Sequence, residues 1–328
     1  MRILVTGAGG FIGNHLVSFL REQGYWVRGI DVKYPEFGVS CADEFYLLDL
    51  RYQENAIAAT EGINQVYALA ADMGGVGFIS KNHATILRNN SLINLNTIEA
   101  ARLNKVKRYL FTSSACVYPV FKQMNSNCNP LQETDAYPAW PEDAYGWEKL
   151  ITERLCTYYQ QEFNLDIRIV RFHNIFGPLG TWKGGREKAP AALCRKIAYA
   201  RLTRNYEIEI WGDGEQTRSF CYIDDCLVGL YKLMQSNYTL PINLGQDRMI
   251  SINQLADIIA EIAGIQITKH YVKEPQGVRG RNSDNTLLRQ ILNWEPEISL
   301  EEGLKRTYDW IERQVSISCS QFNEMVNV

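Results

Sequence analysis

Over the first half of the chain, short apolar runs alternate with longer segments in which apolar residues recur every three or four positions. Runs of this kind are typical of buried strands, and the longer spacing is typical of helices that cover a sheet. The predicted strands are residues 2–6, 26–31, 44–48, 65–70, 107–113 and 166–171. The predicted helices between them are residues 11–22, 82–103 and 143–163. This alternation predicts an α/β fold, in which right-handed crossovers build a doubly wound parallel sheet.

The rhythm changes after residue 171, where loops and short strands separate helices predicted at residues 187–200, 224–235, 251–262 and 299–314. This part indicates a second, smaller and less regular α/β lobe. Because no low-complexity linker marks a boundary, we expect the chain to pass between the lobes more than once. The expected nucleotide-binding domain is residues 1–172 with a return near 215–245, and the expected substrate lobe is residues 173–214 and 246–315. The polar residues 316–328 are expected to form a frayed tail.

Composition and charge narrow the class of protein. With 328 residues, 46% of them apolar and 22% charged, the chain is long enough for roughly two globular domains. A net charge of -3 offers no general attraction to nucleic acid or to an anionic membrane, and we expect neither as a partner. No apolar run approaches the ~20 residues of a membrane span, so we expect a cytoplasmic protein. Eight scattered cysteines without a Cys-x-x-Cys pair argue against both a disulfide framework and a metal site.

A glycine-rich string lies between the first predicted strand and the first predicted helix. Glycines here allow positive φ and a close approach of the backbone to a diphosphate, which the free amides of the helix start would bind. Asp31 closes the second strand, where a carboxylate receives a ribose hydroxyl and favours NAD over its 2′-phosphorylated form. The residues of the string are Gly7, Ala8, Gly9, Gly10, Phe11, Ile12 and Gly13. The sequence therefore predicts a Rossmann-type domain that binds NAD.

Asp49 follows the third predicted strand and has two interpretations. It could cap the next helix, or it could lie at the adenine of the cofactor together with Leu50. The pattern favours neither.

Tyr145 and Lys149 lie four residues apart in a predicted helix and therefore share one face. An ammonium beside a phenol can lower its pKa from ~10 toward neutrality, so that the phenolate can accept a proton from a sugar hydroxyl. Ser114 follows the fifth strand, at the sheet edge where the cofactor crevice is expected. Its hydroxyl could hold the reacting oxygen.

These three features together resemble the extended short-chain dehydrogenase/reductase family, whose members modify nucleotide sugars. Within that family, longer strings resemble the members that epimerise GDP-mannose, and the resemblance covers residues 1–314. The strings are residues 70–75 (AADMGG), 113–119 (SSACVYP), 171–174 (RFHN), 180–190 (GTWKGGREKAP) and 277–285 (GVRGRNSDN).

The resemblance implies a catalytic sequence. NAD oxidises C4 of the hexose, the ketone acidifies the protons at C3 and C5, each centre inverts, and the hydride returns to C4. GDP-L-galactose, GDP-L-gulose or both would be the products. The implied acid/base pair is Cys116 and Lys188, with Tyr145, Lys149 and Ser114 at the hydride step.

Cys116 is the residue that separates this chemistry from its relatives. Related 4-epimerases typically carry Thr at this position and 4,6-dehydratases carry Glu. A thiol with a pKa of ~8.5 can exchange a proton near neutrality, whereas a Thr hydroxyl cannot. Without the surrounding string, Cys116 would be interpreted as a small buried hydrophobe. Lys188 lies in a charged, glycine-rich loop that would otherwise be interpreted as a surface turn, and spacing does not distinguish it from Lys183.

The resemblance also implies a set of residues that bind the nucleotide sugar. Arg279 and Arg281 would offer planar forks to the diphosphate, with an exposed basic turn as the alternative. Gly74 and Gly75 would leave room for the hexose, while His173, Cys156 and Cys194 are interpreted as structural. The implied substrate-binding residues are Gly74, Ser114, Ala115, Cys116, Asn174, Glu187, Lys188, Lys196, Arg218, Arg279 and Arg281.

Two other functions compete with this interpretation: a 4-epimerase or 4,6-dehydratase of the same family, and a nucleotide-sensing regulator on a degenerate dehydrogenase fold. Such regulators have usually lost the Tyr or the Lys of the helix pair, and both are present here. Members of the family commonly dimerise through two long helices, which here would be residues 82–103 and 143–163. We therefore expect a homodimer. The sequence does not decide whether C5 alone or both centres invert.

Overall fold

The structure is a computed structural model that describes residues 1–326, with side chains described through residue 320. The strands are β1 (Arg2–Thr6), β2 (Trp26–Asp31), β3 (Glu44–Leu47), β4 (Gln65–Ala68), β5 (Arg108–Ser114), β6 (Asp166–Phe172), β7 (Ile175–Phe176), β8 (Glu207–Trp211), β9 (Thr217–Ser219), β10 (Cys221–Tyr222), β11 (Pro241–Leu244), β12 (Met249–Ser251), β13 (Thr268–Val272) and β14 (Gly280–Arg281). The helices are α1 (Phe11–Glu22), α2 (Gln53–Thr60), α3 (Val76–Ile79), α4 (His83–Leu103), α5 (Ala144–Phe163), α6 (Ala189–Thr203), α7 (Ile223–Gln235), α8 (Ile252–Ala263), α9 (Thr286–Leu292) and α10 (Leu300–Val326).

Within residues 1–326, seven strands form one sheet in the order β11-β6-β5-β4-β1-β2-β3. Every neighbouring pair in this sheet is parallel. The chain winds outward from β1 in both directions, so the strand order reverses between β1 and β4. The predicted doubly wound α/β fold is confirmed, and the crevice at the carboxyl ends of β1 and β4 is the place where such sheets bind ligands.

The two faces of the sheet bury separate apolar cores because successive residues of a strand point to opposite sides. Ile3 and Val5 of β1 belong to a core that also contains residues of α1, α6, α7, α8 and α10. Leu4 belongs to the opposite core, with residues of α2, α4 and α5. All three side chains are fully buried, and each such burial contributes ~2 kcal/mol.

The smaller lobe is built from short sheets with strand orders β12-β9-β14 and β13-β8, packed beside α6 and α8. Its apolar residues, among them Ile208, Ile250 and Leu255, are continuous with the core of α1 and α7. Between its strands the chain returns to the large sheet, where β11 pairs with β6. Cys194 lies in this shared core and Cys156 in the opposite one, as predicted for both.

The expected frayed tail is wrong for residues 316–326, because α10 continues through Val326. Val315 is 1% exposed, and Cys319 packs against the same core four residues later, so the helix keeps an apolar face where the sequence analysis saw only polar residues. Ser316 donates to the Glu312 carbonyl and thereby satisfies its hydroxyl within the helix. Residues 327–328, the end of that expected tail, lie outside the described residues.

Short helices were missed by the sequence analysis. They include α2, α3 and α9, of eight, four and seven residues. Segments of this length contain only about one to two turns, so their periodicity is too brief to stand out from loop sequence. Among the described residues, no helix combines the length and apolarity that crossing a bilayer requires.

Candidate active site

The glycine-rich turn after β1 forms a tight cradle. Gly7 has φ of +72°, and the Gly10 amide donates to the Gly7 carbonyl at 3.0 Å. A Cβ on Gly13 would lie 2.0 Å from the Gly7 carbonyl oxygen, so only glycine lets α1 approach β1 this closely. Gly10 is the N-cap of α1 and has no side-chain cap among the described residues, which leaves the first amides of the helix directed at the crevice. This donor set fits the diphosphate of a dinucleotide. Phe11 and Ile12 begin the helix and pack against the core.

Asp31 ends β2 beside this turn. Its carboxylate accepts from the backbone amides of Gly9 at 2.9 Å and Val32 at 2.7 Å. Burial is the largest effect on Asp31 and raises its pKa, against the lowering effect of these hydrogen bonds. A Cβ on Gly9 would lie 2.1 Å from the Lys33 carbonyl oxygen, so this glycine brings the turn and the end of β2 together. The position suits a carboxylate that receives a ribose hydroxyl.

Asp49 does not cap a helix, because α2 begins at Gln53 with Tyr52 at its N-cap. Its carboxylate instead holds Arg51 through a salt bridge at 2.6 Å, and the hydrogen bond from Arg51 lowers the pKa of Asp49. Leu50 is 4% exposed, its side chain packs in the core with residues of α2 and α4, and its carbonyl accepts from the Asn96 side chain at 3.1 Å.

Tyr145 and Lys149 share one face of α5, as predicted, and both are buried, at 7% and 2% exposure. The Lys149 ammonium lies 5.6 Å from the centre of the Tyr145 ring and 4.8 Å from that of Phe111. The expected lowering of the Tyr145 pKa is wrong for this structure. Burial raises that pKa well above ~10, while a hydrogen bond with Ser114 opposes the shift. Desolvation of the phenolate outweighs an ammonium that lies beside the ring.

Cys116 is brought to Tyr145 by a glycine that the sequence analysis did not single out. A Cβ on Gly146 would lie 2.2 Å from the Cys116 carbonyl oxygen, so only glycine lets α5 pack this closely on the 3-10 turn Ala115–Val117. Ser114 caps that turn and accepts from the Cys116 amide at 3.2 Å. Gly146 stands inside the Tyr-x-x-x-Lys string, which was the available signal.

Arg281 donates to the Cys116 sulfur at 3.3 Å and to the Gln123 side-chain oxygen at 2.6 Å. It is 8% exposed, so the guanidinium is fixed against the thiol. The sequence analysis assigned this residue only to the diphosphate and did not predict its contact with Cys116. The 165-residue separation between the two offers no pattern from which to predict it.

Lys188 precedes α6 as its N-cap. Lys188 is exposed as a residue, but the protein packed around its ammonium desolvates that group and lowers the Lys188 pKa. Electrostatic interaction with Cys116 acts to raise the pKa of this ammonium, and interaction with the Arg281 guanidinium acts to lower it. The structure thus brings Lys188 into electrostatic range of Cys116. Lys183 instead stacks on Trp182, with its ammonium 4.8 Å from the ring centre.

The two arginines of the 279–281 segment do not lie together. Arg279 forms a two-pronged pair with Asp213 at 2.7 and 2.8 Å on the surface, whereas Arg281 points inward. A spacing of two would place both side chains on one side of a regular strand, but β14 begins at Gly280 and Arg279 lies before it. Arg218 does lie near Arg281, and burial, the largest cause, lowers its pKa to about 10. Its guanidinium donates to the carbonyls of Gln276 and Val278 and so holds that loop.

Four further substrate-binding candidates already contact other parts of the protein: three through polar side chains and one, Gly74, through close packing. The amide nitrogen of Asn174 donates to the Ser219 carbonyl at 2.8 Å, and the Lys196 ammonium donates to the Glu209 carbonyl at 2.7 Å. Glu187 pairs with Arg195 at 3.0 Å. A Cβ on Gly75 would lie 2.6 Å from the Glu187 carbonyl oxygen, so this glycine makes room for the loop of Lys188. A Cβ on the preceding glycine, Gly74, would press on the Phe78 side chain at 3.0 Å.

The parallel sheet, the glycine-rich turn and the Tyr145–Lys149 pair are together typical of NAD-dependent enzymes. The chain belongs to the NAD dependent epimerase/dehydratase family, which it matches over residues 3–245. It is similar to GDP-mannose 3,5-epimerase of Arabidopsis thaliana, with 49% identity over 317 residues, covering 96% of this chain and 83% of that protein. It is 30% identical to GDP-L-fucose synthase of Escherichia coli, covering 94% of this chain and 96% of that protein. Among solved structures, UDP-glucose 4-epimerase of Thermotoga maritima superposes with a TM-score of 0.86 at 28% identity, covering 96% of this chain and 100% of that chain.

Proposed function

We propose that this protein is an isomerase that epimerises GDP-mannose at C3 and C5 through transient, NAD-dependent oxidation at C4, giving GDP-L-galactose, GDP-L-gulose or both. The observation that carries the proposal is the Cys116 thiol, held by Arg281 and in electrostatic range of the Lys188 ammonium, beside the Tyr145–Lys149 pair. The 49% identity to GDP-mannose 3,5-epimerase of Arabidopsis thaliana supports the same substrate.

The glycine cradle, Asp31 and Lys149 would hold NAD. The first turn of α1, which begins at Phe11, would offer backbone amides to the diphosphate, Asp31 would accept ribose hydroxyls, and buried Lys149 would donate to the ribose near Tyr145. When bound, NAD takes a hydride from C4 of the hexose and later returns it.

Tyr145 and Ser114 would act on the C4 hydroxyl. The Tyr145 oxygen accepts the hydroxyl proton as C4 becomes a ketone, and the Ser114 hydroxyl holds the C4 oxygen. Tyr145 must lose its own proton before it can act as a base. Its burial disfavours the charged phenolate. We propose that Lys149, the nearest buried cation on the same helix, stabilises the phenolate during this step.

Cys116 and Lys188 would invert the two carbons beside the ketone. The C3 and C5 protons are acidic once C4 is oxidised, and inversion requires one residue to remove a proton from one face while the other residue delivers a proton to the opposite face. Burial lowers the Lys188 pKa, which makes its ammonium a stronger proton donor than a solvated lysine. In this proposal the Arg281 guanidinium keeps the sulfur in place through both inversions.

Incubation with GDP-mannose in D2O tests the proposal, with deuterium located by NMR. Label at C3 and C5 is expected, whereas a product altered only at C4, or loss of water, would point to a 4-epimerase or a 4,6-dehydratase. Cys116→Ser and Lys188→Ala should abolish the label while NAD binding, measured by calorimetry, survives. Matched controls are Cys128→Ser, a second thiol near Arg281, and Lys183→Ala in the same loop; both should retain exchange. Full exchange in Cys116→Ser and Lys188→Ala would refute the assigned roles.

We propose that two copies of the chain associate through α4 and α5. On α5, Trp147, Ile151 and Tyr158 are 40%, 59% and 52% exposed and recur at a spacing that places them on one face. Leu95 of the adjacent α4 is 47% exposed. A dimer would bury this surface, so light scattering should report twice the chain mass, and Ile151→Glu should shift it to the monomer.

The eight cysteines are free thiols, and several lie in the cores. Thiols persist in reducing compartments, so we propose a cytoplasmic location, which fractionation of the source cells would test. We also propose a nucleotide-binding domain of residues 1–172 with a return near 215–245, which includes α7 and β11, and a substrate lobe of residues 173–214 and 246–315. Limited proteolysis should cut first at exposed loops near this division.

A further inference from the structure

The loop that carries Lys188 is loosely packed at Gly184 and Gly185 and contacts other segments from Arg186 onward. Gly184 and Gly185 have φ of +92° and +85°, and a Cβ on either would meet no described atom within 4 Å. Beginning at Arg186, the same loop contacts the segment that follows β4. The Gly75 amide donates to the Arg186 carbonyl at 3.0 Å. Lys188 is therefore placed by the contacts of residues 186–187 and by α6, because the preceding glycines impose little restraint.

Arg186 supplies the side-chain part of this anchor. Its guanidinium donates to the Asp72 carboxylate at 3.3 Å and to the Met73 carbonyl at 3.4 Å. The same group lies 3.7 Å from the centre of the Phe78 ring, in the geometry of a cation–π contact. Each interaction is weak for a half-exposed side chain, but together they fix the loop from two directions.

Asp72 is held in turn by the helix pair that carries the hydride-step residues. The Asn90 side chain accepts from the Asp72 amide at 2.6 Å and donates to its carbonyl at 3.2 Å, while Asn89 donates to the carboxylate at 3.1 Å. Asn90 also donates to Glu148 at 3.3 Å. Glu148 is 1% exposed and stands next to Lys149 on α5.

We propose that Asp72 and Arg186 are positioning residues that set Lys188 at a fixed distance from the Tyr145–Lys149 pair. This inference rests on the proposed function, in which Lys188 handles protons at C3 and C5 and Tyr145 acts at C4. Asp72 links the two elements. Its carboxylate accepts from Arg186 in the loop of Lys188, and its backbone and carboxylate bond to Asn89 and Asn90 of α4. Loss of the link would displace Lys188 without disturbing Tyr145, whose helix is held by its own contacts.

The proposal predicts that one step fails while the other survives. In Arg186→Ala, deuterium exchange at C3 and C5 should fall at least about tenfold in kcat, because a misplacement of about 1 Å can cost about 10²-fold in rate. Oxidation at C4, followed as the single-turnover absorbance of reduced cofactor, should stay within about twofold. KM for GDP-mannose should also change little. Asp72→Asn should show the same split, and the double variant should be no worse than either single variant, because both remove one link.

Lys183→Ala is the matched control, since it removes a cation from the same loop without touching Asp72. Arg186→Lys keeps the charge but loses the planar fork, and it should restore only part of the exchange rate. Three results would overturn the proposal. In Arg186→Ala these are an equal loss of oxidation and exchange, or full retention of exchange. The third is a loss of exchange in Lys183→Ala as large as that in Arg186→Ala.

Hydrogen exchange of the unliganded protein, read by mass spectrometry, tests the link without any reaction. Amides of residues 184–188 should exchange faster in Arg186→Ala and Asp72→Asn than in wild type or Lys183→Ala. Unchanged protection would overturn the proposal whatever the substrate is. If wild type left GDP-mannose unaltered, the proposed function would fail, and this measurement would still decide whether the link exists.

Discussion

His173 makes the stability of the protein depend on pH in a predictable direction. The imidazole is fully buried between β6 and β7, with one ring nitrogen 3.0 Å from the Asn243 side-chain oxygen. The other, Nδ1, has no hydrogen-bond partner among residues 1–326. Burial lowers the His173 pKa from 6.5 to about 3, Asn243 opposes the shift, and the positive charges of Arg281 and Arg171 add to it. The folded protein therefore excludes a proton that the unfolded chain binds.

The size of the effect follows from the two pKa values. Stability from this group is fully present above pH 6.5 and is lost as the pH falls toward 3, because only the unfolded chain takes up the proton in that window. Between pH 7 and pH 5 the free energy of unfolding should fall by about 2 kcal/mol from His173 alone. Buried carboxyls with raised pKa, such as Glu133 and Glu148, act in the opposite direction, so a variant comparison is required.

Urea denaturation of wild type and His173→Gln at pH 7 and pH 5 isolates the contribution of His173 to the free energy of unfolding. Gln keeps a polar group for Asn243 but does not titrate, so the other groups cancel between the two proteins. The drop in unfolding free energy should be about 2 kcal/mol larger for wild type than for the variant. Equal drops in both proteins would refute the reasoning and would mean that the folded state accommodates the protonated ring.

Three further predictions concern buried or crowded positions. Arg171→Met should lower the free energy of unfolding by about 3–5 kcal/mol in urea denaturation, because Glu153, only 4% exposed in its side chain, loses its buried ion pair; a loss under 1 kcal/mol would contradict this. Gly13→Ala should weaken NAD binding at least about tenfold by calorimetry, because its Cβ would lie 2.0 Å from the Gly7 carbonyl oxygen and must push α1 away; an unchanged Kd would contradict it. Tyr145→Phe should bind NAD normally but form no reduced cofactor with GDP-mannose at any pH, and measurable reduction would show that another base acts at C4.

The long elements and the cofactor turn were predicted well because their signals are local. The helix at residues 11–22 matches α1, and the other two long helices match α4 and α5 to within one residue at each end. The glycine string also acts largely through local constraints: the φ of +72° at Gly7 favours glycine, a Cβ on Gly13 would collide with Gly7, and one on Gly9 would collide with Lys33 just after β2. Such constraints leave a readable mark on a short stretch of sequence.

The contacts around Cys116 and along the loop of Lys188 were not predictable in the same way. Arg281 and Cys116 are 165 residues apart, and Arg186 and Asp72 are 114 apart. Their meeting depends on the strand order and on glycines, Gly75 and Gly146, that let backbones touch. The raised Tyr145 pKa had the same origin, since the sequence placed a cation nearby but carried no information on how completely the phenol is buried.

Residue types, spacing and resemblance were enough to predict the α/β class and the NAD cofactor and to name candidates for the reacting residues. Tertiary structure alone decided that Arg281 reaches the Cys116 thiol and that Arg279 stays on the surface. The physical reason is range: propensity and periodicity act over a few residues, whereas desolvation and close packing depend on every segment that folds against the group.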